Sequence, residues 1–161
     1  MKFAQFHPGQ VITAGPYVLG EEEILAFARQ YDPQWFHADP KAASEGLFGG
    51  LIASGWQTCG IAMRLVADTA LAGSESFASP GLRYVKWPNP VRPGDALRLR
   101  AEVLSARRSS SKRTLGILEW QWLLHNQRDV LVLDLVATSL FRLEDAPHPC
   151  PEPERDAHSP G

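Results

Sequence analysis

Cysteine is scarce in this chain: only Cys59 and Cys150 occur among its 161 residues. Their contexts give no reason to pair them, and neither has the spacing of a metal ligand, which excludes a disulfide scaffold and favours a reducing compartment. Long hydrophobic runs are also lacking, since no stretch approaches the roughly 20 apolar residues that span a bilayer. The N-terminus has no apolar segment typical of a signal peptide. We therefore expect a soluble, cytoplasmic protein that does not enter a membrane.

The chain also lacks a surplus of charge of either sign. Its 16 Lys and Arg residues stand against 18 Asp and Glu residues, for a formal net charge of −2. A balance so close to neutral leaves no electrostatic footprint for nucleic acid, and we expect no such partner. His7, His37 and Asp39 match no strong metal-ligand pattern. The sequence therefore predicts neither a metal nor a cofactor.

What the chain does contain is enough apolar sequence for one folded domain. Hydrophobic residues make up 44% of it, and 161 residues are too few for two ordinary domains. We expect residues 1–144 to form this domain. Residues 145–161 are dense in proline and charge with little to bury, which predicts a disordered tail.

A helix boundary lies at the start of the most informative segment. The acidic run Glu21–Glu23, followed by apolar residues at helical spacing up to Tyr31, predicts a helix of about three turns. Because Pro33 disfavours helical backbone at the residue before it, this helix should end near Asp32. His37 follows five positions later across an irregular segment. The carboxylate and the imidazole can therefore converge on one small volume.

A second helix is predicted to be buried. After Gly55, the run Cys59–Leu71 is apolar almost all round, which is typical of a helix enclosed by other elements. Its first turn carries free N–H groups, which suit an oxyanion or a polarised carbonyl, and Gly55 would let a ligand approach the backbone. Ser54 is expected to cap this helix, whether or not it also contacts a ligand.

The second half of the chain has the character of β-structure. Five strands are predicted in all, and the first of them is N-terminal. They are Val11–Leu19, Leu82–Trp87, Leu97–Val103, Leu118–Leu124 and Val130–Phe141. Strands joined by short turns after one long apolar helix indicate an α+β fold, with an antiparallel sheet of about five strands wrapped around a long central helix. Val130–Phe141 is interpreted as a central strand packed on both faces. It also hints at an exposed sheet edge that could pair with a second copy.

Three motifs carry a resemblance to a known family. They are Tyr31–Pro40 (Tyr-Asp-Pro-Gln-Trp-Phe-His-Ala-Asp-Pro), Phe48–Gly55 (Phe-Gly-Gly-Leu-Ile-Ala-Ser-Gly) and Trp87–Asp95 (Trp-Pro-Asn-Pro-Val-Arg-Pro-Gly-Asp). The combination resembles the MaoC-like acyl dehydratase family, which includes (R)-specific enoyl-CoA hydratases. The resemblance implies a hotdog fold and a homodimer or higher oligomer. It also implies a hydro-lyase of fatty acid metabolism that reversibly adds water to a trans-2-enoyl thioester of CoA or an acyl carrier.

The resemblance also implies roles for individual residues. In such enzymes the Asp and His of this loop hold the catalytic water, and a backbone N–H at the start of the central helix meets the thioester oxygen. These roles fall on Asp32, His37 and Gly55, while Ser54 stands where hydratases often carry His. Trp35 and the residue before it replace the Asn-Pro of many family members, and the bulk of Trp35 is expected to shape the substrate pocket.

The residues themselves leave other functions open. Hydration of an enoyl thioester needs a base, an acid and stabilisation of an enolate-like oxygen, and a carboxylate, an imidazole and a helix N-terminus supply all three. A thioesterase of the same fold would instead use a carboxylate to activate water against the thioester carbonyl. A non-catalytic acyl-thioester binding subunit is a third hypothesis, although a protein without turnover has no chemical reason to keep both Asp32 and His37.

The basic segment Arg107–Arg113 has two interpretations. It could attract the phosphates of CoA or an acidic carrier protein, or it could be a solvated hairpin loop.

Overall fold

A computed structural model of the protein describes residues 1–144. Its α-helices and strands, in chain order, are β1 (Val11–Val18), α1 (Glu21–Tyr31), α2 (Trp35–Ala38), α3 (Pro40–Glu45), α4 (Gly55–Val66), β2 (Ser76–Lys86), β3 (Ala96–Arg108), β4 (Leu115–His125) and β5 (Leu131–Arg142). A 3-10 helix, Phe3–Gln5, precedes them, and a π-helical turn, Ala67–Leu71, follows α4. The predicted tail, residues 145–161, lies outside the described residues.

The five strands form one antiparallel sheet in the order β1-β3-β4-β5-β2. The apolar face of α4 packs on this sheet, where Ile61, Ala62 and Val66 join the same core as Leu99 and Trp120. The predicted hotdog fold, an α+β antiparallel sheet wrapped around a central helix, is therefore confirmed. None of the helices in residues 1–144 has the length and apolar character needed to cross a membrane.

The position of β5 confirms one part of its interpretation and contradicts another. The consecutive residues Leu135, Val136 and Ala137 are all buried, so both faces of the strand are covered. The strand lies between β4 and β2, and the edges of the sheet are β1 and β2. The expectation that this apolar run exposes a sheet edge is therefore wrong, because burial on both faces goes with an interior position.

Two segments differ from the sequence prediction in ways that have a physical reason. The strand predicted to begin at Leu82 begins at Ser76, because register shifts on either side of Gly81 accommodate the Pro-Gly step in an edge strand. The segment between Asp32 and His37, expected to be irregular, contains the one-turn helix α2. A helix this short has too few residues to show a periodic pattern.

A tight turn before β3 holds the segment that leads into α4. The N–H of Ala53 donates to the carbonyl of Val91, with N and O 2.9 Å apart. The turn is fixed by Asp95, which is only 4% exposed. The Asp95 carboxylate accepts a hydrogen bond from the backbone N–H of Arg92 at 2.8 Å and another from Nε2 of Gln127 at 2.9 Å. One buried carboxylate thus anchors the turn that positions the start of α4.

Replacing Asp95 with Ala should lower the free energy of unfolding by about 1–3 kcal/mol, because two donors around a buried site lose their acceptor. Urea denaturation followed by circular dichroism measures this change. The control is Asp68→Ala, since Asp68 pairs with Arg64 on the surface and both side chains are more than half exposed. An equal loss of stability in the two variants would contradict the role given to Asp95.

Candidate active site

Asp32 sits directly after α1 and turns its carboxylate toward α4. Its backbone N–H closes the helix on the carbonyl of Ala28 at 2.9 Å, and Pro33 prevents a further turn. Oδ2 of Asp32 accepts a hydrogen bond from Oγ of Ser54 at 2.7 Å. Oδ1 accepts one from Nε2 of Gln34 at 2.8 Å. Two donors therefore fix the orientation of this carboxylate.

The same contacts favour the ionised form of Asp32. The Ser54 hydroxyl is the main cause that lowers the pKa of Asp32 below its ordinary value; burial opposes this shift, while the Gln34 amide and His37 add to it. The side chain is 16% exposed, so it is shielded from solvent without being sealed. Asp32 is therefore a carboxylate at neutral pH and can accept hydrogen bonds.

His37 lies on α2 with its ring buried at 6% exposure. Its Nδ1 is 2.7 Å from the carbonyl oxygen of Ile52. A carbonyl can only accept, so Nδ1 carries the hydrogen and, in the neutral ring, Nε2 holds a lone pair. This Nε2 is 3.4 Å from Oδ2 of Asp32. The predicted convergence of the two side chains is present in the structure.

The start of α4 contributes backbone donors beside this pair. Ser54 is the N-cap of α4, and its Oγ accepts the N–H of Trp56 at 3.3 Å. The N–H of Gly55, the first residue of the helix, has no intrahelical acceptor and makes no hydrogen bond within residues 1–144. A Cβ at position 55 would come within 2.5 Å of Cε2 of Trp87. Any larger residue here would therefore displace the indole.

These groups open into a cavity of about 360 Å³. It is lined by Asp32, His37, Phe48, Ile52, Ala53, Ser54, Gly55, Trp56, Thr58, Trp87, Pro88, Asn89, Pro90, Val91 and Val132. Most of these residues are apolar, and Asp32, His37 and Ser54 bring polar groups together where α1, α2 and the start of α4 meet. Because it holds the candidate catalytic residues Asp32 and His37, we call it the catalytic cavity.

Four of the five predicted site residues line the catalytic cavity, and Trp35 does not. The Trp35 side chain is 49% exposed and lies against Gly46, where a Cβ would come within 2.4 Å of its ring. Residues two positions apart on a helix point about 200° away from each other. With His37 directed inward from α2, Trp35 is directed outward, which is why its bulk does not enter the cavity.

Several lining residues were missed from the sequence. Trp87 lies in a motif that the sequence singled out, but nothing in the motif indicated that its ring covers the start of α4. Val132 comes from a strand interior, where one apolar residue looks like the next. Phe48 precedes the glycine pair of the second motif, and Arg92 holds its carbonyl at 2.7 Å. Trp87 and Phe48 lie in sequence motifs and could have been suspected for that reason. Val132 had no such signal.

Other candidate groups lie elsewhere. Asp39 caps α3 by accepting the N–H groups of Lys41 and Ala42. The segment Arg107–Arg113 spans the end of β3 and the loop to β4, and none of it lines the catalytic cavity. Within the described part of the chain, no three His, Cys, Asp or Glu side chains form a group that could hold a metal ion.

Comparison with known proteins identifies relatives of the chain. The sequence-family model of the MaoC-like domain matches residues 3–118 of this chain. An uncharacterised protein of Bacillus subtilis strain 168, YdeM, is 34% identical over 134 residues, which are 83% of this chain and 94% of YdeM.

Solved structures agree with the family match. The crystal structure of a MaoC-like dehydratase from Rhodospirillum rubrum is 34% identical, with a TM-score of 0.81 over 89% of this chain and 97% of that one. An (R)-hydratase from A. caviae involved in PHA biosynthesis has the same fold, with 23% identity and a TM-score of 0.70 over 87% of this chain and 98% of that one. The chain therefore belongs to the MaoC-like dehydratase family.

Proposed function

We propose that the protein is a hydratase or dehydratase that reversibly adds water to a trans-2-enoyl thioester, giving a 3-hydroxyacyl thioester. One observation supports the proposal most directly. The Asp32–His37 pair and the N–H of Gly55, at the start of α4, line the same largely apolar cavity. The dehydratase of R. rubrum and the (R)-hydratase of A. caviae support this reaction class. The acyl group would be carried by CoA or an acyl carrier protein, as expected in fatty acid metabolism.

The pairing of Asp32 with His37 suits a bound water molecule. When the His37 ring is neutral, Oδ2 of Asp32 and the lone pair on Nε2 of His37 are both acceptors, and the two atoms lie 3.4 Å apart. Two neighbouring acceptors are satisfied by a group that donates two hydrogens, and water is the smallest such group. A water held this way has its oxygen lone pairs directed away from both side chains, toward a substrate in the cavity.

Each step of hydration can then be assigned to a group. Nε2 of His37 takes a proton from the water as its oxygen bonds to C3 of the substrate. The electron pair of the C2–C3 double bond moves toward C2, and the thioester oxygen gains charge that the Gly55 N–H stabilises. His37 returns the proton to C2, while the Asp32 carboxylate orients the water and stabilises the imidazolium. These steps transfer only protons and need no cofactor.

We further propose that two copies form a homodimer through β2. This strand is a sheet edge whose outer backbone groups have no partner strand in residues 1–144. It carries exposed apolar side chains, with Phe77 53% and Leu82 45% exposed. Edge strands of this kind pair with another strand or are protected by charge. The cytoplasmic location expected from the sequence remains a prediction.

Replacing Asp32 with Asn should lower kcat/KM for hydration of crotonyl-CoA by about 10²–10⁴, because the amide keeps the size but not the charge of the carboxylate. Loss of absorbance of the enoyl thioester measures the rate. Asp39→Asn is the matched control, since Asp39 caps α3 outside the catalytic cavity and Asn caps helices equally well.

Two outcomes of this assay would contradict the proposal. Full activity of Asp32→Asn would remove the carboxylate from the chemistry. Release of free thiol from the wild-type protein without hydration would support the thioesterase hypothesis instead.

Replacing Ser54 with Ala should move the acidic limb of the pH profile of kcat/KM to higher pH. The Ser54 hydroxyl is the largest cause that lowers the pKa of Asp32, so its removal raises that pKa and the carboxylate protonates earlier as pH falls. Gln34→Ala removes a smaller contribution and should give a smaller shift in the same direction. A profile unchanged in both variants would show that protonation of Asp32 does not limit activity.

Replacing Leu82 with Lys should convert the dimer to a monomer, because a charge on an edge strand opposes pairing with a second copy. Size-exclusion chromatography with light scattering gives the mass. Leu104→Lys is the control, since Leu104 is 40% exposed but lies on β3, inside the sheet. A wild-type monomer, or a Leu82→Lys variant that stays dimeric, would contradict an interface at β2.

A further inference from the structure

A second cavity, which the proposed steps do not use, lies between α4 and the strands β2 and β5. Its volume is about 310 Å³. Its lining consists of Cys59, Met63, Leu71, Ser76, Ala78, Ser79, Leu82, Trp122, Leu135, Ala137 and Ser139. Apart from a few small hydroxyls and the indole N–H of Trp122, this lining offers only apolar groups and no charge. We call it the distal cavity.

The catalytic and distal cavities follow one another along the same two elements. On α4, Thr58 lines the catalytic cavity, and Cys59 and Met63 line the distal one. On β5, Val132 lines the catalytic cavity, and Leu135 lines the distal one. Because a helix and a strand each pass from one cavity to the next within a few residues, the two cavities are neighbours along α4 and β5.

Trp87 occupies the junction between them. Its indole lies against Gly55, since a Cβ built there would be 2.5 Å from Cε2 and 2.9 Å from Nε1 of the indole. Cys59, which belongs to the distal lining, follows Gly55 by about one helical turn, so it lies on the same face of α4 as the glycine that the indole covers. Trp56 packs edge-on against Trp87 with ring centroids 5.6 Å apart. One indole thus lines the catalytic cavity and covers the face of α4 that continues into the distal lining.

We propose that Trp87 is a specificity-determining residue that limits the length of the acyl chain by closing the passage to the distal cavity. The proposal rests on the function proposed above, in which the thioester oxygen meets the Gly55 N–H. From Gly55 to Met63 the helix rises about 12 Å, so an acyl chain running along α4 would enter the distal cavity once it passed the indole. The wild-type protein should therefore prefer short chains.

The test compares trans-2-octenoyl-CoA with crotonyl-CoA in the wild type and in Trp87→Ala. The ratio of kcat/KM for the two substrates should rise by at least about tenfold in the variant, since several additional methylenes gain an apolar site. A ratio measured within one enzyme preparation is independent of the fraction that folds. Binding of octanoyl-CoA and butyryl-CoA, measured by calorimetry, should change in the same direction.

Two further variants separate chain-length selection from general damage. Trp35→Ala removes a tryptophan outside both cavities and should leave the ratio unchanged. Adding Met63→Trp to Trp87→Ala fills the distal cavity from a position that is 41% exposed in the wild type, and should remove the gain. A gain that survives Met63→Trp would overturn the assignment of the distal cavity as the acyl site.

The two proposals can fail separately. Hydration with an unchanged octenoyl-to-crotonyl ratio in Trp87→Ala would overturn the role of Trp87 and leave the proposed function standing. Absence of hydration together with tighter binding of octanoyl-CoA by the variant would overturn the proposed function and support the role of Trp87. Absence of both hydration and acyl-CoA binding would overturn both.

Discussion

The hydroxyl of Ser54 is the contact on which the site depends. It donates to the Asp32 carboxylate and accepts the N–H of Trp56, so one atom joins the end of α1 to the start of α4. The carbonyl of Ile52 fixes the ring of His37 in the same stretch of chain. The helices α1, α2 and α4 are therefore held together by groups that lie just before the N-terminus of α4. These groups are the Ser54 hydroxyl and the Ile52 carbonyl.

Much of this arrangement follows from local rules. Pro33 ends α1 beside Asp32, Ser54 caps α4, and strand alternation identifies β3 and β4. These signals are local because each depends on a few residues that are neighbours in the sequence. The family resemblance added the expectation that Asp32, His37 and Gly55 come together, and the geometry agrees with it. Their roles in catalysis remain proposals.

Other features could not be read from the sequence because they depend on contacts between distant segments. The one-turn helix α2 directs His37 inward and Trp35 outward, and no periodic pattern is long enough to show this. Strand order depends on which apolar faces meet, and the sequence does not show this. The expectation of an exposed edge at β5 was therefore wrong, and β2 is the edge strand beside it. The contact of Trp87 with Gly55 joins two motifs whose separate patterns give no hint of it.

The close packing of Trp87 on Gly55 has an evolutionary consequence. Any side chain at position 55 would overlap the indole, so the two positions constrain each other across the fold. Among descendants of this chain, a larger residue at 55 requires either displacement of the indole or a smaller residue at 87. Substitutions at positions 55 and 87 are therefore expected to be correlated. Whether a larger residue at position 55 is tolerated depends on which residue already stands at position 87.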